Sequence, residues 1–194
     1  MNRLNIIKQV QVRLDELSPF DDTEEVPAID YIDKLLDYST DRVFRLLPYT
    51  KLPCVDNSLS RVTKVGDLGE YSLMMIDRYI KLGECKFDAW VRPVTKVASP
   101  FIESLQGSKY TMGKPNKPVI TERKVGDLIE LHFFSIPDGG PNPTKRLSIV
   151  ISKKPEDCPE NLIDAITWQC AADVLSSLGK ESKYAQEKVL TYGL

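Results

Sequence analysis

Apolar residues recur every three or four positions at both ends of this chain, and alternate or break up in between. Near the N-terminus Leu4, Ile7, Val10, Leu14 and Leu17 form such a stripe. The spacing predicts a helix over residues 3–17, ended by Ser18-Pro19. After an acidic loop at 20–25, Pro27 opens a second predicted helix that reaches Leu47 and stops at Pro48. Ile29, Ile32, Leu36, Val43 and Leu47 are its expected core face. The last third predicts two more helices. Pro159 suits a first turn, where its missing N–H has no partner to lose, and Gly179 suits a left-handed cap. Between them Ile163, Ile166, Cys170, Val174 and Leu178 fall on one face, while Ala165, Ala171 and Ala172 leave room for a neighbouring helix. A short helix follows over about residues 180–190. The long C-terminal helix reads as the packing hub.

From Tyr49 the helical period is lost. Short strands are expected within 50–70, around 78–82 and around 89–92, and a helical turn at 99–106. Three clearer strands follow at 118–123, 128–136 and 145–152, the last with Leu147, Ile149 and Ile151 on one side. Residues 107–117 and 137–144 read as long loops. The run Lys64-Val65-Gly66-Asp67-Leu68 recurs as Lys124-Val125-Gly126-Asp127-Leu128, a repeated turn into a strand. The expected fold is therefore α+β: a helical bundle from the N- and C-terminal helices, with a central antiparallel β-region and long loops. The chain is taken as one domain, 1–194, comprising helices in 1–48, a β-rich insertion in 49–154 and helices in 155–194.

Composition narrows the class. The chain has 194 residues, 42% hydrophobic and 28% charged, with a formal charge of −2. These are values of a globular domain, and the charge argues against a broad basic face for duplex DNA. No apolar run approaches the roughly 20 residues of a membrane span, and the N-terminus lacks the apolar core of a signal peptide. The expectation is a protein made in the cytoplasm without a membrane partner. Cys54, Cys85, Cys158 and Cys170 are scattered and read as free, packed thiols.

The search for chemistry returns little. His132, the only histidine, lies in the apolar run Leu131-His132-Phe133-Phe134. It leaves no ordinary zinc site, and no cofactor motif is present. The segment 107–114 resembles a phosphate loop, but its glycines are misspaced and Pro115 stands where Ser or Thr would hold magnesium. The chain is therefore expected not to be an enzyme, with no catalytic, cofactor or metal residues. Asp33, Asp37 and Asp41 form a carboxylate row on the second helix: a solvated face, a metal site or the wall of a channel. In the stiffened loop 107–118, Tyr110, Met112, Lys114, Asn116 and Lys117 are candidates for a subunit contact. Two other functions stay open: a DNA-binding packaging accessory acting through Lys109, Lys114 and Lys117, and a cytosolic enzyme with Cys85 or Cys54 as nucleophile and His132 as base.

Several segments together resemble one family. They are Val12-Arg13-Leu14-Asp15-Glu16-Leu17-Ser18-Pro19-Phe20, Tyr31-Ile32-Asp33-Lys34-Leu35-Leu36-Asp37, Trp90-Val91-Arg92-Pro93-Val94, the run 110–119, and the closing helix pair at 165–190. The chain resembles the head-to-tail connector (adaptor) proteins of tailed bacteriophages, most of all the ring protein of crAss-like phages. The resemblance implies a non-enzymatic virion protein of the tail or neck. Copies of it, twelve by this likeness, would form a ring between the portal protein and other tail or ring proteins. The ring would line a channel through which genomic DNA passes without sequence-specific binding during packaging and ejection. On this likeness the row Asp33, Asp37, Asp41 would face the channel. A closed ring further requires two different matching patches per subunit.

Overall fold

The computed structural model describes residues 1–17, 27–53, 55–56, 62–64, 71–76, 78–87, 92, 95–98, 117–126, 128–134 and 145–192. The chain divides into two compact units, Met1–Pro53 with Ser152–Leu194, and Cys54–Ile151. The fold is α+β, with helices from both chain ends and a β-region between them in sequence.

The first unit contains α1 (Arg3–Leu17), α2 (Ile29–Leu46), α3 (Glu160–Ser177) and α4 (Lys183–Thr191). Single 3₁₀ turns, Tyr49–Lys51 and Pro155–Asp157, lie at its two chain junctions. Helices α1, α2 and α4 all pack on α3. From Leu162 to Leu175 every residue of α3 except Asp164 is buried. A helix enclosed on all sides has no polar stripe to show, so the single apolar face expected from 163, 166, 170 and 174 understates it. Leu178, expected on that face, caps the helix and is 44% exposed. Gly179 takes φ +70°, and the Lys180 N–H donates to the Leu175 carbonyl at 2.9 Å. The helix thus ends in the left-handed motif that glycine favours.

The other two stripes shift by a residue or two. Helix α1 buries Ile6, Ile7, Val10 and Leu14, leaving Leu4 exposed and Leu17 half-buried. Helix α2 buries Ile32, Leu36, Ser39, Thr40, Val43 and Phe44, but Ile29 is 41% exposed. Both helix-opening prolines sit earlier than expected. Pro159 is the residue before the first helical one, with extended ψ, and Pro27 precedes Ala28 in that role. Proline fixes φ and leaves ψ free, so it serves the entry to a helix as well as its first turn.

Among the described residues the second unit has eight strands: β1 (Val55–Asp56), β2 (Val62–Lys64), β3 (Tyr71–Ile76), β4 (Tyr79–Phe87), β5 (Thr95–Ala98), β6 (Val119–Val125), β7 (Leu128–Phe134) and β8 (Lys145–Ile151). They form a three-stranded sheet, β1-β8-β4, and a five-stranded sheet, β2-β3-β7-β6-β5. Val55 pairs with Ile149, so the strand entering this unit lies beside the one leaving it. That pairing brings the two ends together, as an insertion requires.

Among the described residues the strand pairs are antiparallel, as expected of the region, with β5 and β6 as one parallel pair. A parallel pair needs a crossover of a dozen or more residues, and residues 99–118 supply it. The strand expected from residue 78 starts at Tyr79, because Arg78 is a turn residue with φ +56°. The chain changes sheets at that turn. The second Lys-Val-Gly-Asp-Leu copy forms the β6–β7 hairpin, with Val125 opposite Leu128 and Gly126 at φ +63°. A two-residue hairpin favours such a positive φ. The first copy starts at Lys64, where β2 turns back to pair with β3, and its remainder lies outside the described residues. So do the helical turn at 99–106, the loop 137–144 and all of the expected strand at 89–92 except Arg92.

Burial in this unit runs through Ile80, Val119, Ile120, Leu131, Phe133, Ile149 and Val150. Ile149 and Val150 are adjacent and both buried, so β8 is covered on both faces and not only on the expected one. The Tyr79 hydroxyl donates to Glu122 Oε1, which ties β4 of one sheet to β6 of the other. Beside it, β4 bulges against β8 between Leu82 and Cys85. A Cβ on Gly83 would lie 2.6 Å from Ser148 Oγ and 3.0 Å from its carbonyl oxygen, while that hydroxyl already accepts the Glu84 N–H at 2.7 Å. Gly83→Ala is therefore expected to destabilise this unit by about 1–3 kcal/mol, read as a lower urea midpoint, since the backbone must move to admit the methyl.

Candidate functional site

The carboxylate row on α2 is engaged within its own unit. Arg3 of α1 donates to Asp33 Oδ1 at 2.5 Å and to Asp37 Oδ1 at 2.9 Å, and Glu156 lies 3.6 Å away. The Asp37 hydrogen bond leads in raising the Arg3 pKa above its already high value. Asp41 accepts from the Ser152 hydroxyl. These carboxylates therefore pin α1 and the start of the C-terminal segment to α2. Asp37 keeps 66% of its side chain exposed and Asp33 46%, so both still meet solvent while sharing one guanidinium. Among the described residues no group of three His, Cys, Asp or Glu is placed to hold a metal.

A second polar cluster was not anticipated. Asp173 of α3 is 6% exposed and accepts from Ser39 Oγ at 2.7 Å, from Gln169 Nε2 at 3.0 Å and from Arg42 Nη1. Arg42 reaches across from α2 to neutralise this buried carboxylate. A charge in a dry interface needs such partners. The signal in the sequence was an aspartate inside Ala-Ala-Asp-Val-Leu, but its partners Ser39 and Arg42 lie more than a hundred residues upstream.

The nucleophile reading finds no support in the thiols. Cys85, Cys158 and Cys170 are free. Burial pushes Cys85 and Cys170 up to about 12 and Cys158 up to about 11, the opposite of an activated thiolate. His132 sits on β7 with Nε2 2.9 Å from Glu130 Oε2, an ion pair whenever the ring is protonated. Cys54 lies outside the described residues. Two consequences are measurable. Cys85, Cys158 and Cys170 should resist iodoacetamide at pH 8 in the folded chain and react fully in urea, as resolved by mass spectrometry. Their folded values lie above the usual 9.0, so the unfolded thiols ionise first as pH rises. Their contribution to stability is complete below pH 9 and is lost as pH climbs toward 12.

The expected subunit-contact loop is described only at its end. Lys117 is exposed, and Tyr110, Met112, Lys114 and Asn116 lie outside the described residues, as does Lys109. The structure draws attention to the helices instead. Tyr38, Leu46 and Tyr49 are 59%, 51% and 40% exposed, and Arg42 and Arg45 share their side of α2. Arg42 also lies 5.9 Å from the centre of the Tyr38 ring. Positions 38, 42, 45 and 46 fall on one helical face by spacing alone, and Tyr49 follows in the 3₁₀ turn beyond the helix. Their periodicity was readable, but it ran opposite the core stripe and so passed for ordinary surface. Val12 on α1 and Tyr184 and Leu190 on α4 are also more than half exposed. A pocket of about 470 Å³ opens beside Leu17, Lys180, Glu181 and Tyr184.

No protein-family model matches this sequence, and no curated protein matches it significantly.

Proposed function

We propose that this chain is a ring-forming head-to-tail connector of a tailed-bacteriophage virion, one that joins the portal to the tail and lines the channel through which DNA is packaged and ejected. The reading begins in the sequence resemblance. The observation that carries it in the fold is the outward row Tyr38, Arg45 and Leu46 on α2. Scattered exposed apolar residues are ordinary, but tyrosine, arginine and leucine aligned along one helix have the composition of a contact surface. A protein acting by assembly needs such faces on rigid elements, and α2 is fixed by α3 behind it.

The channel role of the carboxylate row takes a milder form in this reading. Asp33 and Asp37 share the single charge of Arg3, so the row is mildly acidic. DNA would slide past it without sticking. The copy number of twelve rests on the resemblance alone. The test is to mix the purified chain with the portal protein of its source phage and image the product by negative-stain electron microscopy. The expected result is a closed ring of this chain on the portal. A chain that never associates with portal, and instead turns over a substrate as a monomer, overturns the reading.

A further inference from the structure

We draw no further inference here: the strongest candidate, the pocket lined by Leu17 at the end of α1 and by Lys180, Glu181 and Tyr184 at the start of α4, carries nothing because nothing in the structure shows what would fill it.

Discussion

Trp168→Ala is expected to cost the helical unit about 3–5 kcal/mol. Trp168 is 6% exposed on α3, the helix that the other three enclose. Its ring accepts the Arg13 guanidinium from α1 at 4.8 Å from the ring centre and meets the Tyr184 ring of α4 edge-on at 6.0 Å. Arg13 also lies 3.2 Å from Glu16 and 3.5 Å from Asp164, so removing the indole leaves a guanidinium tethered over a cavity. Three helices lose contact at once. Trp168→Phe keeps an aromatic face and should recover most of the loss. Urea unfolding followed by far-ultraviolet circular dichroism measures both. A cost under about 1 kcal/mol for the alanine variant would mean that α4 is not seated through this ring.

Asp173→Ala is the second large effect, at about 3 kcal/mol. Breaking a buried ion pair by removing one partner typically costs about 3–5 kcal/mol, and the partial exposure of Arg42 places this case at the lower end. Ser39 is fully buried, and Ser39 and Gln169 also lose their acceptor. Asp173→Asn keeps an acceptor oxygen and should cost less than the alanine variant. The double variant Asp173→Leu with Arg42→Leu removes both charges and should be closer to wild type than Asp173→Ala alone. Equal losses in the single and double variants would show that the carboxylate, Arg42 and their neighbours are not one coupled group.

These two residues also mark where the sequence was legible. Helix existence and type followed from periodicity, because burial of one stripe is a local property of spacing. Gly179 and its left-handed cap were readable for the same reason, since only a residue without Cβ takes that φ without strain. The Val125-Gly126-Asp127-Leu128 hairpin was as well, at the level of a turn into a strand.

What escaped depends on residues far apart in the chain. Asp173 reads as an isolated charge until α2 brings Ser39 and Arg42 to it. The row Asp33, Asp37 and Asp41 looks like a free acidic face until Arg3 and Ser152 arrive from opposite ends of the sequence. The full enclosure of α3 was hidden because alanine and threonine positions look neutral in an apolar pattern, yet Ala165, Thr167 and Ala171 are all 0% exposed. The parallel pairing of β5 with β6 could not be read either, since strand pairing leaves no local mark beyond the long connection it demands. The α2 face was visible only as spacing, and its exposure is what the structure added.

Under the proposed connector reading, cryo-electron microscopy of the virion that would carry this chain tests the central claim most directly. The connector account predicts a closed ring of this chain between portal and tail, with its helices resolved around the DNA channel. A particle whose neck contains no density for this chain, while the chain itself is abundant in the infected cell, would contradict it.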